Sequence, residues 1–306
     1  MSSIKRFFRY LFLDKKKFLD SVIKHFNCLF PDKLYLSLRY RLQLGSWINW
    51  KNPISFTEKI QWLKIYGFKK NYSELVDKLS VKSYVANKIG SQYVIPLLNV
   101  WDGFDDIDWD SLPNQFVLKT THGGGNGGVV ICRDKNCFNK IEAKKKLASS
   151  MKTNAGKTYR EKPYINIPKK IIAETFISDS SGRELDDYKF FCFNGNPMFC
   201  QLIRNRSIKE TIDFYDMQWT HMPFVGLNPN VENGCEAALK PENFDKMIEI
   251  CKELSMGIPF VRVDLYNVHG QIYFGELTFY PASGFGSFRP NEWNNKLGDL
   301  LNLSLK

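Results

Sequence analysis

The chain has 306 residues, 43% hydrophobic and 25% charged, which suffices for a large buried core and excludes the disordered, fibrous and membrane-spanning classes. Its seven cysteines are odd in number and scattered, with no Cys-x-x-Cys pair and no histidine at ligand spacing, so they read as reduced thiols of a cytoplasmic protein rather than as a disulfide framework or a zinc site. The net charge of +11 is uneven, with ten Lys or Arg against three Asp in residues 1–50, but no recognition motif for nucleic acid accompanies it.

In chain order, residues 4–26 mix Phe7, Phe8, Leu11, Phe12, Phe18, Leu19, Ile23 and Phe26 with seven Lys or Arg, the pattern of a basic amphipathic helix. Its apolar runs are too short to span a bilayer, and it lacks the uncharged core of a secretory signal. Two readings stay open: a helix packed on the domain with a solvated basic face, or peripheral attachment of residues 1–26 to the anionic inner face of a membrane. Residues 55–67 open with Ser55 and carry Glu58 three positions on, a capping box ahead of an apolar helical pattern that ends at Gly67. Further helices are predicted over 75–88, 140–151 and 241–256. Strands are predicted over 115–119, 128–132, 170–176, 188–193, 198–204, 260–266 and 271–277. Asn194-Gly195 and His269-Gly270 mark tight hairpins, so the predicted class is α+β with antiparallel pairs.

In residues 116–132, FVLKTTHGGGNGGVVIC, a strand ends in a lysine, five glycines fall within six residues, and a second strand returns. Glycines let backbone N–H groups approach phosphate oxygens, and Lys119 adds a charge for the same oxygens. The loop is neither a Walker loop nor a dinucleotide fingerprint, because no Gly-Lys-Ser/Thr and no helix follows. A free surface hairpin is the alternative. On FVRVDLY (260–266) and QIYFGELT (271–278), Arg262, Asp264 and Glu276 stand among apolar neighbours. Two carboxylates with nucleotide phosphates are what Mg2+ accepts, while a surface ion pair with an exposed Glu276 is the blander reading. A plain two-residue turn puts Asp264 and Glu276 on opposite faces, so an odd loop or a β-bulge is required to bring them together. In KIIAETFI (170–177) Glu174 is placed to meet an adenine amino group, with backbone at Phe176 and Ile177 reading the ring edge, or else to face water. Lys189 lies among aromatic residues, where it needs a phosphate or carboxylate unless its strand is a solvated edge.

At these residues the chain resembles the ATP-grasp superfamily, and within it the TupA-like family of teichuronopeptide, capsule and lipopolysaccharide gene clusters. The segments carrying the resemblance are FTEKIQWLK (56–64), LPNQFVLKTTHGGGNGG (112–128), IIAETF (171–176), DYKFFCFNG (187–195), FVRVDLYNVHGQIYFGELTFYPASGFG (260–286) and residues 293–297. It implies an ATP-grasp fold, two α+β subdomains holding ATP between antiparallel sheets. The chain then divides into a basic helical segment (1–50), a substrate-side subdomain (51–113) and a nucleotide-binding core (114–306). It further implies Lys78 and Lys119 as phosphate-binding lysines, to which Lys189 is added from its aromatic surroundings, and His122, Gly123, Gly124 and Gly125 in a mobile loop over the γ-phosphate. Glu174, Phe176 and Ile177 become the adenine hinge, Asp264 and Glu276 the Mg2+ ligands, and Arg262 the arginine beside them. Thr278 stands where many members have an asparagine as a further ligand. The activity implied is ATP-dependent joining of a carboxylate to an amine through an acyl phosphate, one substrate being a sugar or glycan. Arg262, Lys119 and Lys189 would stabilise the transferring phosphoryl group. The other class considered is a glycosyltransferase using the D-x-D patterns of DDIDWD (105–110).

Overall fold

A computed structural model describes residues 15–123, 125–179, 184–206, 208–228 and 230–303; residues 4–14 of the expected basic helix and Gly124 of the glycine loop lie outside the described residues. The chain opens on α1 (Lys15–His25) and α2 (Asp32–Leu44), the latter burying Tyr35, Leu36, Arg39 and Tyr40 on one face. Helix α3 (Phe56–Tyr66) starts at the predicted capping box, with Ser55 accepting from the Glu58 N–H and the Glu58 carboxylate accepting from the Ser55 N–H at 3.1 Å. The single helix expected over 75–88 is instead two, α4 (Tyr72–Val76) and α5 (Ser80–Ile89). Asp77 separates them: its carboxylate accepts from the Leu79 N–H at 3.0 Å and from Ser80 Oγ at 2.6 Å, a local alternative to helical hydrogen bonding.

Next come β1 (Leu97–Trp101), β2 (Phe116–Thr120), β3 (Val129–Cys132), α6 (Lys140–Lys152), α7 (Ala155–Tyr159) and β4 (Ile171–Thr175). Strands β1 to β4 form an antiparallel sheet in the order β1-β4-β2-β3. The expected boundary at 113/114 therefore runs through a sheet, since β1 belongs to it.

The remainder comprises β5 (Asp187–Phe193), β6 (Asn196–Arg204), β7 (Thr211–Tyr215), β8 (His221–Met222), β9 (Val225–Gly226), α8 (Phe244–Ser255), β10 (Phe260–Val268), β11 (Gln271–Thr278), β12 (Phe288–Arg289) and α9 (Glu292–Leu300). The second sheet has the order β11-β10-β5-β6-β7-β8, again antiparallel, and β9 pairs with β12. Every residue of β5 is buried between β10 and β6, so its two charges, Asp187 and Lys189, must find partners inside the protein. The hairpins turn at Asn194-Gly195 (φ 50° and 83°) and His269-Gly270 (φ 50° and 83°), each with two successive positive φ values as a primed turn requires. Phe56 of α3 packs edge-on to Phe193, Phe260 and Phe288, which ties the helix to the second sheet. Among the described residues no helix is long and apolar enough to cross a membrane.

Candidate active site

The face of the second sheet is set by a register shift. Val268 pairs with Gln271 and Leu265 with Phe274, but Asp264 pairs with Glu276, so Gly275 is the extra residue of a β-bulge. Without it Glu276 would turn to the opposite face; with it Asp264, Glu276 and, through its own pairing with Asp264, Lys189 stand side by side. A Cβ at position 275 would lie 3.0 Å from the Asp264 carbonyl oxygen, which accounts for the glycine. Arg262 shares this face and pairs with Thr278.

Here two carboxylates are bound by cations. Arg262 donates to both oxygens of Asp264, at 2.7 Å each, and its Nη2 also reaches Glu276 Oε1 at 3.4 Å and Thr278 Oγ1 at 3.1 Å. Lys189 Nζ donates to Asp264 Oδ2 and lies 3.6 Å from Asp187, which in turn holds Arg206 Nη2 at 2.8 Å. Burial alone would raise the Asp264 carboxyl, but Arg262 and Lys189 outweigh it and hold the group below its ordinary 3.8. Lys189 is therefore neither on an edge strand nor solvated, and Arg262–Asp264 is not a surface pair.

The first sheet carries a further carboxylate. Glu174 sits with Lys82 Nζ 2.5 Å from Oε1 and Lys119 Nζ 2.5 Å from Oε2, so the structure occupies it with two ammonium groups where the sequence reading placed an adenine contact or water. Burial would raise Glu174, and the two lysines more than reverse that. Lys78 joins the clusters. Its Nζ donates to the Gly123 carbonyl, its backbone N–H donates to Thr121 O at 3.1 Å, and Glu276 and Glu174 both pull its proton affinity upward against the lowering by burial.

The glycine loop is tethered at both ends. A Cβ at Gly123 would lie 2.8 Å from Thr120 Oγ1, and Gly128 is pressed against Thr120 and Ser150 in the same way. Residues Gly125–Gly128 form a short 3-10 turn. His122 does not stand out in the loop: it is 4% exposed, and its Nε2 lies 3.2 Å from the Ser150 carbonyl, to which it can only donate. Burial pushes its pKa down, and Nδ1 has no hydrogen-bond partner among the described residues. Phe176 and Ile177 do line a cavity of about 490 Å³ together with Ser91, Gln92, Pro96 and Tyr273, and Tyr273 lies on the Asp264 face.

The profile of the family described as TupA-like ATPgrasp matches residues 58–302. The chain belongs to the TupA-like ATP-grasp family. As a member, it has the ATP-grasp fold in its α+β form, and the two cation-filled clusters lie on its two larger sheets. Its solved likenesses are distant. The D-alanine–D-alanine ligase of Bacillus anthracis with ATP is 14% identical over 67% of this chain and 54% of that one, with a TM-score of 0.39. The corresponding ligase of Helicobacter pylori is 12% identical over 81% and 69%, with a TM-score of 0.42. The ATP-grasp ligase PsnB with minimal precursor, Mg and ADP is 11% identical over 80% and 60%, with a TM-score of 0.37. The chain spans about half the length of the Bacillus anthracis enzyme. No curated protein matches.

The sequence reading of this TupA-like chain missed Lys82, Asp187 and Arg206. Lys82 is legible in the sequence as the residue four after Lys78, but its pairing with Glu174 depends on the break between α4 and α5. Asp187 was legible as the residue two before Lys189 on one strand, hence on the same face, whereas nothing local singles out Arg206, which reaches Asp187 from beyond β6.

Proposed function

We propose that the protein is an ATP- and Mg2+-dependent carboxylate–amine ligase that forms an amide bond through an acyl phosphate. The observation that carries the reading is that Glu174 and Asp264, on different sheets, are each bound by two cations, with Lys78 in the field of both Glu174 and Glu276. Six cationic groups, Lys78, Lys82, Lys119, Lys189, Arg206 and Arg262, meet four carboxylates, Glu174, Asp187, Asp264 and Glu276, and a polyphosphate is what the excess of positive charge fits. Asp264, Glu276 and Thr278 offer hard oxygens on one face, a donor set that fits Mg2+ bound jointly with phosphates. When bound, Mg2+ would supply charge neutralisation on the transferring phosphoryl group.

In this reading the cavity at Phe176 and Ile177 takes the adenine ring, and Lys78, Lys82 and Lys119 hold the phosphates. Lys189 and Arg262, drawn from Asp264, face the γ-phosphoryl group as a substrate carboxylate displaces ADP. An amine then attacks the acyl carbon, loses a proton and releases phosphate. Thr278 in place of a carboxamide makes a weaker further ligand. The substrates proposed are a uronic acid of a surface polysaccharide or its precursor and an amino acid. The test is ADP release with Mg2+ATP over a panel of uronic acids and amino acids; release only when both are present supports the reading, and none with any pair contradicts it.

The glycosyltransferase reading loses support from the acidic loop. Asp108, common to both D-x-D patterns, accepts from the backbone N–H groups of Asp110 and Ser111 and so is engaged by the loop itself. Peripheral contact of residues 1–26 with the inner membrane is part of the proposal, supported by exposed Leu19 and Phe26 beside Lys15 and Lys16. Co-sedimentation with phosphatidylglycerol vesicles tests it, and a protein left in the supernatant contradicts it.

A further inference from the structure

Beyond Thr278 the backbone takes three successive left-handed conformations, at Ala282 (φ 46°), Ser283 (φ 53°) and Gly284 (φ 64°). Ala and Ser rarely adopt this conformation, and such a run persists only where its surroundings over-determine it. The restraint comes from α3. Gln61 Nε2 donates to Ser283 O and Gly284 O at 2.9 Å each, and Lys64 Nζ donates to Ser283 O at 2.8 Å and Tyr159 O at 3.0 Å. Ser283 Oγ donates to Glu161 Oε1 at 2.6 Å, and that oxygen lies 3.7 Å from Lys64 Nζ. Lys64 is fully buried. The cluster adjoins the candidate site along the chain, since the turn begins four residues after Thr278 and Tyr280, between them, has its ring 5.8 Å from Lys64 Nζ.

A buried ammonium ion is costly, and an apolar side chain of the same length would fill the space. We infer that Lys64, with Glu161 as its counter-ion, is a positioning residue that clamps the left-handed turn 282–284 against the 159–161 segment and so fixes the wall of the site that follows Thr278. That this wall faces the carboxylate or the amine rests on the ligase reading above. The groups facing Lys64 are Glu161, the rings of Tyr280 and Phe285, and Arg39, itself paired with Asp20. Burial pulls Lys64 down to about 7; Glu161 opposes this and Arg39 adds to it. The clamp is thus charged below that pH and loosens as pH rises through it.

Backbone hydrogen exchange on the full chain, read by mass spectrometry at about pH 6 and about pH 8 with intrinsic rates corrected, tests the inference. The expected result is that wild-type residues 282–286 lose roughly tenfold protection between the two pH values, and that Lys64→Met lacks the protection at both, with β5 unchanged throughout. If Lys64→Met does not fold, Glu161→Gln serves: with the opposing carboxylate gone, the loss of protection moves to lower pH. Equal protection of the turn in Lys64→Met and wild type, no pH response in wild type, an unmoved midpoint in Glu161→Gln, or loss shared evenly by β5 would each overturn the inference. No nucleotide enters the measurement, so failure of the ligase reading appears separately, as absence of ATP binding.

Discussion

Asp264 accepts from a guanidinium and an ammonium group at once, inside a site where neither cation has water to fall back on. Replacing it by Asn keeps the shape and removes the charge that both cations need, at a cost of about 3 kcal/mol by the rule for breaking a buried ion pair. Asp264→Asn should therefore lower the thermal midpoint and abolish the Mg2+-dependent part of ATP-analogue binding; unchanged Mg2+ dependence would remove Asp264 from the proposed ligand set. At this scale the sequence was informative where chemistry was unusual for its surroundings. Lys189 among aromatic residues and Asp264 among apolar ones announced partners. Glu174 did not announce Lys82, because that pairing depends on how α5 is turned, and Asp77 sets the turn.

The bulge is the element on which the site depends. A face conflict between Asp264 and Glu276 was visible in the sequence as a need for one extra residue, and Gly275 meets it. Gly275→Val introduces a branched Cβ against the Asp264 carbonyl, and overpacking of this kind costs about 1–3 kcal/mol. We expect a lower denaturation midpoint together with weaker Mg2+ATP-analogue binding, measured by urea titration and calorimetry. Full binding with only the stability lost would mean that the bulge shapes the sheet without serving the site. Other elements were less legible. LLNVW at β1 lacks the β-branched run and regular alternation of a predicted strand, and its exposed residues are explained only by an edge position beside β4. The helix expected over 75–88 has continuous apolar periodicity, which one aspartate side chain overrides.

Taken as a whole, the molecule stores its electrostatics in a few buried pairs, and these set its response to acid. Asp264 and Glu174 are held below their ordinary 3.8 and 4.5, so their contribution is fully present above those values and is lost as pH falls through the lower folded-state values. Stability should therefore be level in this respect near neutrality and fall below about pH 4.5, with a shallower fall in Asp264→Asn; an acid profile identical in the variant and wild type would contradict the assignment. The antiparallel α+β class was legible from hairpin turns and strand spacing. The way α1 and α2 join the core was not, because Arg39 reaches the Thr158 carbonyl and the Phe285 ring across more than a hundred residues of chain. The central claim is that the two cation-filled clusters are the two sides of one nucleotide site. Isothermal titration with a non-hydrolysable ATP analogue and with UDP-sugars, each with and without Mg2+, tests it most directly. The ATP analogue should bind, more tightly with Mg2+, and UDP-sugars should not; UDP-sugar binding without ATP-analogue binding would overturn the assignment.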